Sequence, residues 1–304
     1  MSALPEQVLG GLAGPEMRRA GCVTDHVMHP ACRDGVVRNM PFDAYMTGPE
    51  VSKSGLWTAH TRSLRHSLHS REPSSAMALG TAVHCAVLEP DDFLQRFHRG
   101  PDDRRGLRWK EALEEHREGL LTAGDYDAAL AIRDALLGEP LVRKITQAAN
   151  LREASGFWTD AETGLRCRCR PDGYAESLGL LIDLKTTRDA RAHGFARSIA
   201  DYGYHAQEAF YSDGWRACGL DVAGFVFIAV ETEAPYAASV FELGPQAVEE
   251  GRAAMRAALR AWAEAERSDQ WPAYPQEVQR IDLPRWAYRL TSPPLGSDDF
   301  GDTP

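Results

Sequence analysis

Nothing in the chain approaches the roughly 20 apolar residues that a membrane-spanning helix needs, and the opening MSALPEQVLGGLAGPEM lacks the charged and apolar regions of a signal peptide. A cytoplasmic protein with no membrane partner is expected. Cysteine is sparse: Cys22, Cys32, Cys85, Cys167, Cys169 and Cys218 include no CxxC pair, which argues against a zinc ribbon or disulfide framework and for reduced, packed thiols. The set Cys22, His26, His29 and Cys32 has zinc-ligand chemistry, but its spacing fits no common site. No internal repeat is present. Lysine is scarce beside arginine, so Lys185 stands out as a lysine kept where arginine is the habitual basic residue.

The net charge of −10 over 304 residues excludes broad adhesion to nucleic acid, which Lys and Arg drive, but not a locally basic groove. Basic residues cluster at His60, Arg62, Arg65, His66, His69 and Arg71, again from Arg96 to Lys110, and on the arginine face of the stretch from Arg166 to Arg170. The length permits a large core, as one elaborated domain or one domain with a helical annex.

The most informative stretch runs from Arg166 to Thr187 and reads as one β-hairpin. Arg166, Arg168, Arg170 and Asp172 alternate with Cys167 and Cys169 at period two, so they share a face. The second arm, Leu180-Leu181-Ile182-Asp183-Leu184-Lys185, is apolar except for Asp183 and Lys185, which point to one side. A two-residue turn at Ser177-Leu178 sets Asp172 opposite Asp183, with Cα atoms roughly 4.5 to 5.5 Å apart. Two carboxylates so close repel unless a cation joins them.

Around the hairpin, residues 1–39 read as a flexible extension and 291–304 as an acidic mobile tail, leaving 40–290 as the folded domain. Ser52 caps a helix through Trp57, whose free N–H groups suit a phosphate, or is a cap and nothing more. A helix over 76–88 carries Gly80 and His84 on one face; a lone histidine there is commonly structural. Residues 91–122 form a charged helical excursion, and Asp125 caps the next helix. Arg152 to Asp160 is the first strand, with Glu153 either an auxiliary acid facing the site or an edge residue. Tyr204 to Cys218 is a helix with Gln207 and Tyr211 on one face; Phe225–Val230 and 235–243 are strands, and a long helix follows Gly244-Pro245. The class is α/β (α+β), a central mixed sheet flanked by helices with an N-terminal helical elaboration.

Gly80-xxx-His84, Arg170-Pro171-Asp172, Asp183-Leu184-Lys185-Thr186-Thr187 and Gln207-xxx-Tyr211, in that order, resemble the exonuclease VIII (RecE-type) nuclease domain, a phage and prophage branch of the PD-(D/E)XK superfamily related to the RecB nuclease. The resemblance covers roughly residues 40–265. It implies a metal site of His84, Asp172, Asp183 and the Leu184 carbonyl, holding Mg²⁺ or Mn²⁺. It implies Lys185 at the attacking water, Gln207 and Tyr211 positioning DNA, and Ser52, Arg170 and Thr186 as phosphate contacts. The implied activity is a 5′-to-3′ exonuclease on linear double-stranded DNA, working as a homo-oligomeric ring and leaving 3′ overhangs for a single-strand annealing partner. An endonuclease or single-strand nuclease on the same core is the first alternative. A non-catalytic DNA-binding or assembly module is the second. No cysteine quartet supports the iron-sulfur branch.

Overall fold

A computed structural model describes residues 23–25, 34–69, 75–116, 118–284 and 287–288. The chain opens with β1 (Val23–Asp25), β2 (Gly35–Arg38) and the short helix α1 (Phe42–Thr47). Strand β3 (Val51–Ser52) runs directly into α2 (Lys53–Thr61), because the Ser52 hydroxyl accepts from the Gly55 N–H and starts the helix. Next come α3 (Leu64–Ser67), α4 (Ser75–Leu88), α5 (Pro90–Arg96), β4 (His98–Arg99), α6 (Leu107–Glu115) and β5 (Leu120–Leu121). Pro90 ends nothing by itself: it takes the first position of α5, where its missing N–H costs no bond.

The helices α7 (Ala123–Gly138) and α8 (Pro140–Ala148) lead to β6 (Leu151–Arg152), β7 (Ser155–Thr159), β8 (Arg166–Cys169), β9 (Gly173–Ala175) and β10 (Leu180–Thr187). The helices α9 (Ala192–Tyr202) and α10 (Tyr204–Ala217), strands β11 (Gly224–Glu231) and β12 (Ala238–Phe241), and helix α11 (Pro245–Ser268) complete the order. The described elements lie within the compact unit that ends at Ala273; in the second unit, 274–304, the Leu283 N–H donates to the Tyr288 hydroxyl.

Two five-stranded sheets form, in the orders β1-β2-β7-β8-β3 and β12-β11-β10-β9-β6, and β4 with β5 makes a small parallel pair. In the second sheet β10 and β11 are parallel and the other pairings antiparallel. Its central strands are buried on both sides. Leu181, Phe225, Phe227 and Ala229 pack with Trp215, Phe195, Ala258 and Leu259, whereas Leu180, Ile182, Leu184, Val226 and Ile228 pack with Val83, Ala86, Ile132 and Leu136. Each such apolar side chain contributes about 1.5–3 kcal/mol, and two-sided burial is why these strands read as continuous apolar runs.

The expected single hairpin is divided between the two sheets. Strand β8 pairs with β7 and β3, while β9 pairs with β10, and Arg170-Pro171-Asp172 carries the chain across. Pro171 has no N–H to give a ladder, which suits it to the crossing. The β9–β10 register is nevertheless the expected one: Leu180 faces Ala175 and Ile182 faces Gly173, so the next pair outward is Asp172 and Asp183. The connection is longer than two residues, a 3₁₀ turn at Glu176–Leu178 followed by Gly179 at φ 59°.

Other boundaries shift for identifiable reasons. Residues 35–38, expected in the flexible extension, form β2 against β7. Thr122, not Asp125, caps α7: its hydroxyl accepts from the Asp125 N–H at 3.1 Å. The strand expected over 152–160 is broken at Glu153, which takes φ 47°. Residues 1–22, the His26, His29 and Cys32 positions, and the 291–304 tail lie outside the described residues.

Helix α11 approaches α10 closely at Gly251, where an added Cβ would stand 2.3 Å from the His205 carbonyl oxygen. That atom is backbone, two residues before Gln207. The expected outcome for Gly251→Ala is a loss of about 1–3 kcal/mol despite alanine's better helix propensity, read as a lower melting temperature. Gly138→Ala, with nothing within 4 Å of the added carbon, is the control that leaves stability unchanged or raised.

Candidate active site

Where β9 leaves the crossing, Asp172 is 8% exposed and its carboxylate is held from two directions. Its Oδ2 accepts from the Leu184 N–H at 2.6 Å, and its Oδ1 lies 3.2 Å from His84 Nδ1. His84 reaches it from α4, which lies over β10 with Gly80 facing Thr186: a Cβ on Gly80 would make an ordinary contact, 3.4 Å from Thr186 Oγ1. Glu153 completes the group. Ligand atoms of His84, Glu153 and Asp172 all lie within 4.8 Å of one another. The left-handed backbone at Glu153 turns its carboxylate to this side, and its N–H donates to the Asp172 carbonyl at 3.2 Å.

Beside this group Asp183, 2% exposed, sits on the apolar face of β10 that also carries Leu181. Its Oδ1 accepts from Gln207 Nε2 on α10, and its Oδ2 is ion-paired with the Lys185 ammonium. Lys185 also lies over the Tyr204 ring, 4.8 Å from its centroid. A second lysine, Lys53 at the start of α2, approaches the same ring at 6.0 Å.

The charges perturb one another. Burial drives Asp183 up to about 6, with Lys185 opposing and Asp172 assisting. Burial and the Asp172 charge raise Glu153 to about 8. For His84 burial acts downward, but Asp172 outweighs it and lifts the imidazole to about 9. Burial and the nearby Lys185 lower Lys53 to about 7. Asp172 stays below its usual range, since His84, Lys185 and the Leu184 N–H overcome the burial that would raise it.

Not every expected contact is placed at this centre. Arg170 gives its guanidinium to Ser155 Oγ at 2.8 Å and the Met40 carbonyl at 2.7 Å. Arg168 binds the Tyr45, Met46 and Gly48 carbonyls, and Arg166 pairs with Asp34. The arginines of β8 and the crossing are therefore structural, not a basic face for phosphate. Within the run from Arg96 to Lys110, Arg96, Arg99 and Arg104 are paired with Glu89, Asp127 and Asp125. Ser52 is engaged as a cap, and Thr186 faces Gly80 on the opposite side of β10 from Asp183. Tyr211, one turn beyond Gln207, packs half-buried against the core.

A buried Asp183-x-Lys185 on a central strand, an acid at the adjoining strand end and a supporting glutamine on a flanking helix define a nuclease fold of the PD-(D/E)XK class. The chain belongs to the family described as a PDDEXK-like domain of unknown function (DUF3799), which matches residues 58–284. No curated protein matches the sequence. Among solved structures, a candidate exonuclease from Eubacterium rectale shares the fold, with a TM-score of 0.54 at 15% identity over 84% of this chain and 98% of its own. A phage-related exonuclease from Haemophilus somnus aligns at 12% identity over 74% of this chain and 99% of its own, but its TM-score of 0.33 carries no argument.

Nucleases of this class use divalent metals, and the residues present fit one: a nitrogen and two carboxylates converge. The expected set placed Asp183 among the ligands and left Glu153 open. The geometry instead groups Glu153 with His84 and Asp172, and ties Asp183 to Lys185 and Gln207. The signal for Glu153 was its acidity next to a strand; period-two alternation could not reveal it, because the positive φ interrupts the period.

In the metal-free chain the His84 imidazolium stabilises the fold fully below its unfolded value near 6.5, and this is lost as pH rises through about 9. Glu153, raised rather than lowered, loses stability on ionising between about 4.5 and 8. A divalent ion needs both groups deprotonated. The gain in melting temperature on adding Mg²⁺ is therefore expected to be larger at pH 8.5 than at pH 6. Glu153→Gln should flatten that difference and raise the metal concentration for half-saturation at least about tenfold.

Proposed function

We propose that the protein is a Mg²⁺-dependent exodeoxyribonuclease that hydrolyses linear double-stranded DNA from 5′ to 3′ and leaves 3′ overhangs. The observation that carries this reading is the convergence of His84, Glu153 and Asp172 within 4.8 Å beside the Asp183–Lys185 pair. His84, Glu153 and Asp172 would hold the ion, with Asp183 and the Leu184 carbonyl as the further ligands that the family resemblance implies. Mg²⁺, or Mn²⁺ in its place, would when bound supply a water of lowered pKa and positive charge opposite the scissile phosphate.

The side chains divide the remaining work. Lys185 stays charged, since Asp183 and Asp172 outweigh its burial, so its ammonium donates to the attacking water and to the oxygen on which negative charge develops. Gln207 fixes the Asp183 carboxylate, and so indirectly Lys185, while Tyr211 backs the same helix face. Ser52 and Thr186 enter this reading as the phosphate contacts that the family resemblance implies. Arg170 instead ties the Ser155 hydroxyl and the Met40 carbonyl together near Glu153. A homo-oligomeric ring on double-stranded DNA, a single-strand annealing partner, a role in phage-type recombination and a cytoplasmic location accompany the RecE-type reading. Among the described residues no helix is long and apolar enough to cross a membrane.

Digestion of linear duplex labelled separately at each 5′ and 3′ end tests this. Mg²⁺-dependent loss of the 5′ label is expected, abolished by EDTA, with Lys185→Ala slower by at least about a hundredfold. Cutting of closed circles would shift the reading to an endonuclease. DNA binding with no degradation under any metal would leave a binding module.

A further inference from the structure

Outward from Lys185 the site continues along a row of aromatic rings that the hydrolytic centre does not use. Tyr204 lies on Phe227 in the core, with centroids 5.8 Å apart, and Tyr202 stacks beside Tyr204 at 5.7 Å and 27°. Tyr202 is 61% exposed, so it ends the row in solvent. The residue between the two tyrosines makes this possible. Gly203 closes α9 and opens α10 at φ 66°, and a Cβ on it would lie 2.4 Å from the Trp57 ring. No other residue type lets the turn press so closely on Trp57 while presenting both phenol rings on the same side.

Two of the chain's four lysines meet at these rings. Lys185 stands 4.8 Å from the Tyr204 centroid, and Lys53 stands 6.0 Å from it and 5.6 Å from that of Trp57. Lys53 donates one hydrogen bond, to the Tyr202 carbonyl at 2.6 Å, which leaves ammonium donors to spare. A purely structural aromatic cluster has no need of two lysines brought together at its rim. An anion attached to a flat ring satisfies both features, and a nucleotide is such a ligand.

We propose that Tyr202 and Lys53 form a subsite for the unpaired nucleotide that adjoins the scissile phosphate, with Tyr202 stacking on its base and Lys53 contacting its phosphate. The subsite rests on the nuclease reading and adds a requirement to it: the strand being cut is unpaired next to the cut. Recognition is by stacking, so every base is accepted.

The test uses the full chain and a duplex carrying 2-aminopurine as an unpaired terminal nucleotide. With Ca²⁺ replacing Mg²⁺ to hold back cleavage, wild type should quench the fluorophore, Tyr202→Ala should not, and Tyr202→Phe should retain the effect. In Mg²⁺, Tyr202→Ala should raise KM about tenfold with kcat nearly unchanged. Lys53→Gln should lower the slope of log affinity against log salt by about one. If wild type cuts DNA but Tyr202→Ala keeps both its quenching and its KM, the subsite is wrong and the nuclease stands. A fall in kcat with KM unchanged would likewise overturn it, reducing Tyr202 to a structural role. If wild type cuts nothing, the nuclease reading fails, and the quenching still reports whether a base stacks there.

Discussion

A charge inside an apolar sheet is the constraint on which the rest of this structure turns. Asp183 lies on β10 among Leu181, Phe225 and Phe227, where an isolated carboxylate is strongly disfavoured. Its neighbours answer that cost from separate elements: Lys185 two residues along the strand and Gln207 from α10. The position of α10 then matters to the centre, and α10 is fixed by the near contact of Gly251 with its backbone and of Gly214 with the Trp158 ring. Replacing the pair with apolar residues would relieve the sheet; retaining it in the core is evidence of use.

The second carboxylate, Asp172, solves a different problem. It stands outside the ladder, at the end of a crossing that Pro171 starts, and it is anchored by the Leu184 N–H rather than by a strand partner. Both aspartates are buried, and each is held by a hydrogen bond, Asp183 from the Gln207 side-chain amide and Asp172 from a backbone N–H. Together with His84 and Glu153 they bring four chain segments, α4, the β6–β7 break, the crossing and β10, to one point.

Much of this was legible in the sequence because it rests on short-range rules. The β9–β10 register, the Ser52 cap, the continuous apolar run of β11 and the long helix after Gly244-Pro245 follow from period, turn chemistry and capping. The division into two sheets was not legible, since alternation along Arg166–Asp172 says which side chains share a face and nothing about which strand lies next door. The same limit misassigned the arginines: a row at period two looks like a basic surface, and only tertiary contacts reveal that Arg168 and Arg170 face backbone carbonyls. Glu153 was left with two readings, auxiliary acid or edge residue, because a single backbone angle decides which way it faces.

The three carbonyls bound by Arg168 have a consequence for how this chain can change over time. The guanidinium meets the side chains of Tyr45 and Glu50 but takes only the main-chain oxygen of Met46, so it is indifferent to the side chain at position 46, which is exposed to solvent. The loop beside the centre can therefore drift in sequence there and keep its place, provided the arginine remains. A lysine in its stead has no planar fork to span the three oxygens, so the freedom of one position is secured by the fixity of another.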